Sequence, residues 1–296
     1  MSTASRAILL RTHLLMLLAA ALVSTSFTVA AWSAHRMDPL LLTLCRFLLA
    51  TLCFAPIACR HGLVLPAARQ LAGYAAISFC LTGFFWLMFF SLRYTSALNT
   101  SAIYTLVPGL SGIYGLFLLR EKLGGHRLLA LLFGMVGALW IIFRGDFARL
   151  LALDLNRGDI LFFCGCLLMA LYTPLVKLLH RKEPMSVMTF WIMATGCGWL
   201  LLFAVPRVPS TPWSTIPPSV WAAIAYLAVF TTIVTFYLSQ HATLIIGPTR
   251  VMAYSYFYPA MVPLIEWALG HGLPPEATYP GIAIVLAATV VLQRPE

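Results

Sequence analysis

The side chains of this 296-residue chain that suit chemistry are aromatic, amide and hydroxyl groups inside long hydrophobic stretches. Aromatic rings suit flat or apolar parts of a ligand, whereas amides and hydroxyls suit a zwitterionic group. No P-loop, HExxH motif or nucleophile elbow accompanies them, so the sequence predicts ligand binding and no enzymatic activity. The residues expected to contact a small-molecule substrate are Trp86, Asn99, Thr100, Tyr104, Tyr237, Tyr254 and Tyr258.

Three prolines, Pro108, Pro259 and Pro263, lie inside the same kind of stretch. Each removes a backbone donor and is expected to kink its helix. Pro108 and Pro259 are 151 residues apart and occupy matching places in the two halves of the chain. Helix interruptions at matching places are typical of transporter binding sites near the middle of the membrane.

Two charged side chains, Arg46 and Glu266, also fall inside hydrophobic stretches, each in the half nearer the outer end. A charge in hydrocarbon is costly, so both are expected to find a partner or to reach water. Two arrangements are open on the sequence alone. Either the two side chains pair with each other, or each extends separately to the outer interface.

The composition excludes ordinary soluble proteins. Apolar residues make up 61% and charged residues 9% of the chain, against roughly 25% charged residues in an average soluble domain. Mean hydropathy is +0.91. The net charge of +10 is dispersed between apolar runs rather than gathered in one stripe, so no nucleic-acid partner is expected. The seven cysteines are scattered, so no metal or other cofactor is expected.

Ten apolar stretches can be drawn, each near the length of about 20 residues that spans a bilayer. They cover residues 14–34, 40–59, 71–92, 97–119, 127–143, 158–179, 187–205, 220–240, 250–270 and 277–293. Ten spans divide into two halves of five, and because five is odd, the second half enters the membrane inverted. The predicted fold is an all-α integral membrane protein whose ten transmembrane helices form two inverted five-helix repeats around a central cavity.

Five short runs resemble a known family. Ser91–Ala97, Leu106–Pro108 and Leu119–Leu123 are similar to the EamA-type module of the drug/metabolite transporter superfamily. Asp38-Pro39, followed by Arg46–Ala50, is similar to the second helix of that module. The resemblance covers nearly the whole chain and is more specific in the first half.

The resemblance implies two EamA-type five-helix repeats, at residues 1–145 and 155–296. The second half departs from the pattern, because Gly272 stands where the family usually has an acidic residue. The aromatic-rich middle is similar to the YddG-like branch, whose members export aromatic and other neutral amino acids. It implies an inner-membrane secondary transporter that exports amino acids and related metabolites by alternating access. Its partners would be the lipid bilayer and the substrate, with no obligate protein partner.

Two other functions stay open on the residues alone. An integral-membrane enzyme acting on a lipid-linked substrate would need clustered His, Asp or Glu at one interface, and the nine acidic residues are scattered. A drug or nucleotide-sugar carrier of the same superfamily is the second. A nucleotide would need several lysines or arginines near the midplane, whereas only Arg46 lies clearly within a stretch. A neutral or zwitterionic substrate fits better.

The distribution of basic residues predicts the topology. Twelve of the 19 lysines and arginines fall on one side of the ten-span arrangement, six on the other, and Arg46 lies inside a span. Because cytoplasmic loops carry the excess of Lys and Arg, both termini are expected in the cytoplasm. A cytoplasm-dependent reporter fused after Glu296 should therefore be active. Activity of a periplasm-dependent reporter at that position would mean that a span is lost or added.

Overall fold

The computed structural model describes residues 3–120, 124–148, 155–246 and 248–293 of the chain. All regular elements in these ranges are helical, and the ranges contain no β-strand. This confirms the predicted all-helical class for the described part of the chain. The motif residues Glu121, Lys122 and Leu123 lie outside the described residues.

The helices fall into two groups along the chain. The first group consists of α1 (Thr3–Ala34), α2 (Pro39–Arg60), α3 (Ala68–Ser91), α4 (Ala97–Tyr104), α5 (Val107–Leu119) and α6 (Gly125–Ile142). The second group consists of α7 (Arg157–Leu179), α8 (Met185–Ala204), α9 (Pro218–Ala228), α10 (Thr235–Ile246), α11 (Pro248–Ala253), α12 (Tyr258–Ala268) and α13 (Tyr279–Gln293). A π-helical segment, Val229–Val234, joins α9 to α10, and a 3₁₀ segment, Tyr254–Phe257, joins α11 to α12.

Seven helical stretches of the described ranges are long and apolar enough to cross a membrane. They are Ala7–Ala34, Pro39–Arg60, Ala68–Ser91, Ala97–Leu119, Arg157–Leu179, Met185–Arg207 and Pro218–Thr243. Two shorter apolar helices cover Leu129–Ile142 and Glu276–Leu292. The chain is thus an all-helical membrane protein, and the count of ten spans stays a prediction.

Side-chain caps determine where two of the membrane helices begin. Asp38 Oδ1 accepts hydrogen bonds from the backbone N–H groups of Leu40 and Leu41, at 2.9 and 3.3 Å, and Pro39 occupies the first turn of α2. Asn156 caps α7 in the same way, its Oδ1 accepting from Asp159 N at 2.8 Å. These caps satisfy backbone donors that a helix start leaves free. As a result, Asp159 lies in the first turn of α7.

The main packing contacts join the first group of helices to the second. Helix α3 packs on α7, α2 on α8, α6 on α13, and α1 on both α10 and α12. The largest cluster of buried apolar residues runs through both groups, from Phe27 in α1 to Val285 in α13. The interior of the protein is therefore an interface between the two groups.

Helices α6 and α13 approach closely because glycines face each other. A Cβ added at Gly137 would lie 2.7 Å from Val285 Cγ2 and 2.8 Å from the carbonyl oxygen of Gly281. A Cβ added at Gly281 would lie 2.8 Å from the carbonyl oxygen of Gly137. Small residues at helix crossings let backbones pack tightly in membranes, where van der Waals contact drives association.

Replacement of Gly137 by Ala should destabilise the protein. The added methyl group meets backbone on the partner helix, so overpacking is expected to cost about 1–3 kcal/mol. Thermal unfolding of the purified protein in detergent measures the loss as a lowered Tm.

Gly198→Ala is the matched control, because nothing lies within 4 Å of a Cβ added at Gly198 in α8. There the alanine should stabilise the helix by about 0.5–1 kcal/mol. Equal Tm values for the two variants would contradict the close packing of α6 on α13.

Candidate functional site

Helix interruptions occur at Pro108 and Pro259, as the sequence predicts. Helix α4 ends at Tyr104, and α5 begins at Val107 with Pro108 as its second residue. The 3₁₀ segment ends at Phe257, and Pro259 is likewise the second residue of α12. Proline is tolerated in the first turn of a helix because its missing N–H has no intrahelical partner there. Pro263, by contrast, lies inside α12.

Five aromatic residues from five helices meet beside these interruptions and form what we call the aromatic cluster. The cluster consists of Phe27, Phe84, Tyr104, Phe162 and Tyr258. The ring centroids of Tyr104 and Tyr258 are 5.5 Å apart, and Phe27 lies 6.0 and 5.9 Å from them. Phe84 lies 5.7 Å from Tyr104 and 5.9 Å from Phe162. Tilted and edge-to-face pairs at these distances stabilise one another.

Tyr104 and Tyr258 are half-buried, and their hydroxyl groups have no hydrogen-bond partner among the described residues. Tyrosine hydroxyls in other helices are engaged, because Tyr74 in α3 donates to Glu183 and Tyr226 in α9 bonds Thr25. A tyrosine hydroxyl in an apolar interior usually finds a partner. The two cluster hydroxyls are therefore available to a bound molecule.

Arg46 in α2 is buried, with an exposed fraction of 2%. Its Nε and Nη2 donate to Thr232 Oγ1 at 3.2 and 2.9 Å, and Nη2 also donates to Thr231 Oγ1 at 3.2 Å. Nη1 has no partner. Its Cζ atom lies 4.3 Å from the ring centroid of Phe85, a cation–π contact. Neither of the two arrangements expected for Arg46 occurs, because it pairs with threonines and does not reach the interface.

The π-helical segment explains how two adjacent threonines serve one guanidinium. In an α-helix adjacent side chains point about 100° apart. In a π-helix the hydrogen bonds join residues i and i+5, so that each turn holds more residues and adjacent side chains point closer together. The hydroxyls of Thr231 and Thr232 both donate to the carbonyl oxygen of Leu227, at 2.9 Å each. Their oxygens thus lie on one side and accept from Arg46. Single π turns inside α-helices are frequent at functional sites.

Phe85 connects Arg46 to the aromatic cluster. Its ring centroid lies 5.0 Å from that of Phe84 and 5.5 Å from that of Phe47. Aromatic rings therefore continue from the guanidinium to Tyr104 without a gap. The candidate site combines one positive charge, an apolar aromatic wall and two free tyrosine hydroxyls.

Glu266 has local partners and does not bond Arg46. Thr28 donates its hydroxyl to Glu266 Oε1 at 2.6 Å, and His271 Nδ1 lies 2.6 Å from Oε2. Glu266 and His271 line a cavity of about 250 Å³ together with Arg144 and Asn99. The side chain of Glu266 is 24% exposed.

Asn99 and Thr100 are occupied by contacts within the protein. Asn99 Nδ2 donates to both carboxylate oxygens of Asp159, at 3.2 and 3.3 Å, and Thr95 Oγ1 donates to Oδ1 at 2.5 Å. The hydroxyl of Thr100 donates to the carbonyls of Ser96 and Ala97 in its own helix. Sequence reasoning missed Asp159 as a buried charge, although Asn156 three residues earlier signals the start of α7.

The remaining predicted substrate contacts lie apart from the aromatic cluster. Trp86 is on the exposed side of α3 and stacks on Phe90. Tyr237 is 68% exposed and stacks on His241. Tyr254 is buried, but its hydroxyl bonds His13 Nδ1 at 2.5 Å in a separate cluster with α1 and α10. Of the predicted set, the structure brings only Tyr104 and Tyr258 together.

The all-helical membrane fold, with aromatic and hydroxyl groups gathered between its helices, is typical of a membrane protein that binds a small molecule. The sequence pattern of the EamA-like transporter family matches residues 10–143 and again residues 156–294. The chain belongs to the EamA-like transporter family, and it is a membrane transporter.

Similar proteins agree with this assignment. The chain is 27% identical over 218 residues to the uncharacterized transporter YyaM of Bacillus subtilis, covering 72% of this chain and 71% of that protein. It is 24% identical over 279 residues to an uncharacterized transporter of Archaeoglobus fulgidus, covering 94% and 95%. A solved crystal structure that is 19% identical covers 95% of this chain and 96% of that chain, with a TM-score of 0.67. That structure has the same fold.

Replacement of Asn99 by Leu should destabilise the protein through Asp159. The change removes two donors from a carboxylate that is 3% exposed, and an unsatisfied buried polar group costs about 1–3 kcal/mol. Thermal unfolding in detergent measures this loss. Ser101→Ala is the control on the same helix, because the Ser101 hydroxyl bonds only the carbonyl of Leu98. A Tm for Asn99→Leu equal to that of Ser101→Ala would contradict this role of Asn99.

Proposed function

We propose that this transporter exports amino acids, aromatic and other neutral ones, and related metabolites across the bacterial inner membrane by alternating access. The observation that carries the proposal is the pairing of Tyr104 and Tyr258 at two helix interruptions, one in each segment that matches the family. Irregular backbone inside a membrane is tolerated where it is buried in protein or lines a cavity. Transporter sites are typically built on such discontinuous helices.

The chemistry of the site suits an amino acid with an apolar or aromatic side chain. The aromatic cluster offers ring faces to that side chain, and the free hydroxyls of Tyr104 and Tyr258 offer hydrogen bonds to its polar backbone. This composition supports membership in the YddG-like branch. A nucleotide substrate is disfavoured, because its phosphates would need more than the one buried basic side chain that the described site contains.

We further infer ten spans in two inverted five-helix repeats, at residues 1–145 and 155–296. Arg207 forms an ion pair with Asp38 at 2.8 Å, which places the end of α8 beside the start of α2. Near the opposite end of α8, Glu183 accepts at 3.0 Å from Tyr74 in α3, the helix that follows α2. These two contacts make α2 and α8 antiparallel, as inverted repeats require. The excess of basic residues supports an arrangement with both termini in the cytoplasm.

Truncation of Tyr104 or Tyr258 to Ala should reduce transport by about tenfold or more, since each removes an aromatic anchor from the site. The measurement is counterflow in proteoliposomes loaded with a panel of unlabelled amino acids, with labelled phenylalanine outside. Wild-type protein is expected to exchange aromatic and branched amino acids.

Tyr237→Ala is the matched control, because Tyr237 is an exposed tyrosine outside the aromatic cluster. It should leave counterflow unchanged at equal reconstitution. Normal transport by both the Tyr104 and the Tyr258 variant would move the site elsewhere. Absence of any amino-acid exchange by the wild-type protein would overturn the proposed function.

A further inference from the structure

The buried guanidinium of Arg46 has a specific use in this site. We propose that Arg46 binds the carboxylate of the transported substrate, and that Thr231 and Thr232 hold the guanidinium while the site is empty. The inference rests on the proposed function for the identity of the amino acid. The class of group that Arg46 binds, a carboxylate, follows from the surroundings of Arg46 itself.

Arg46 has no counter-ion in the described part of the chain. Acidic side chains in these ranges have partners other than Arg46. Asp38 pairs with Arg207, and Glu266 pairs with His271. Asp159 accepts from Thr95 and Asn99. A buried charge that lacks a partner is costly, and intramembrane charges usually mark a substrate or ion pathway.

The free part of the guanidinium is the part that a carboxylate would take. The Nε and Nη2 donors of Arg46 are used by threonine oxygens, whereas both N–H groups of Nη1 are unused although the atom is buried. Guanidinium donors match carboxylate oxygens in geometry and form strong charge-assisted hydrogen bonds. A neutral hydroxyl or amide ligand would leave the positive charge uncompensated.

The surroundings of Arg46 select a carboxylate that is attached to an apolar body. The faces nearest the guanidinium are the rings of Phe85 and Phe89, whose centroids lie 4.3 and 6.0 Å from Cζ. Phe85 leads to Phe84 and the rest of the aromatic cluster. A carboxylate on Arg46 would therefore direct an attached apolar or aromatic side chain along these rings.

The bonds from Arg46 also cross between the two segments that match the family. Arg46 belongs to the first segment, and Thr231 and Thr232 belong to the second. Movement of one segment against the other would separate the guanidinium from the threonine oxygens. A substrate carboxylate bound at Nη1 then also accepts from the Nη2 donor that the threonines release, so that substrate binding and the release of this contact are coupled.

The test compares wild-type protein with Arg46→Gln, whose amide keeps a donor for the threonines but removes the charge. Competitors in the counterflow assay are phenylalanine, phenylalaninamide, phenethylamine and 3-phenylpropionate, which differ in their carboxylate and amino groups. Wild-type protein should prefer phenylalanine to its amide by about 30-fold or more, the loss expected when a buried charge pair loses one partner. Arg46→Gln should bring this ratio close to one.

The Tm distinguishes an arginine that binds a ligand from an arginine that stabilises the fold. Because Arg46 is an uncompensated charge in the empty protein, Arg46→Gln should show an unchanged or higher Tm without ligand. Arg93→Gln is the matched control, since Arg93 donates to the carbonyls of Ala34 and Met37 at 2.7 and 3.0 Å. That variant should have a lower Tm and keep the preference for phenylalanine over its amide.

Two results would overturn the proposal. The first is that Arg46→Gln prefers phenylalanine to phenylalaninamide as strongly as wild-type protein does. The second is that the Tm of Arg46→Gln falls as much as that of Arg93→Gln, or that Arg46→Gln fails to fold. The proposed function fails separately. If wild-type protein exchanges no amino acid, the role of Arg46 can still be tested with 3-phenylpropionate. This ligand should raise the Tm of wild-type protein and leave the Tm of Arg46→Gln unchanged. An equal effect on the Tm of both proteins would overturn the role of Arg46.

Discussion

The constraint on which this structure depends is the absence of water in the membrane interior, where every backbone polar group needs a partner within the protein. Regular helices meet that requirement, and irregular backbone survives only where protein encloses it. The three irregular segments that adjoin the candidate site follow this rule, since Thr105, Ser255 and Thr231 are all buried. These segments supply or adjoin Tyr104, Tyr258 and the threonines that bind Arg46. The candidate site therefore lies where the helices are interrupted.

Asp159, Glu266 and Arg46, three charged side chains in the helices, show how differently one interior treats charge. Asp159 receives three side-chain hydrogen bonds, and Glu266 has a threonine hydroxyl and a histidine. Both carboxylates are thereby satisfied by the protein. Arg46 has only two hydroxyl partners and an unused Nη1. Among these three side chains, Arg46 is therefore the one whose charge a bound ligand would compensate.

Much of the fold follows from the sequence, because hydrocarbon leaves few alternatives. The apolar stretches predict membrane helices, and Pro108 and Pro259 predict the interruptions. The facing of individual side chains does not follow, because a helix buried on several sides has no single polar stripe. Tyr104 and Tyr237 look alike in sequence, yet one is in the aromatic cluster and the other is exposed. Asn99 was predicted to contact substrate, but Asp159, 60 residues away in sequence, occupies it.

In the proposed alternating-access cycle, the two kinds of contact between the family segments have different tasks. Helices α6 and α13 meet at Gly137 and Gly281, where backbone faces backbone and a single methyl group has no room. Such a contact cannot loosen slightly without losing much of its dispersion energy, which in the proposed cycle would make it the pivot. The contacts of Arg46 with Thr231 and Thr232 are hydrogen bonds that another acceptor can replace. Separation of the two family segments at Arg46, where the substrate carboxylate would bind, is therefore less costly than their separation at the glycines.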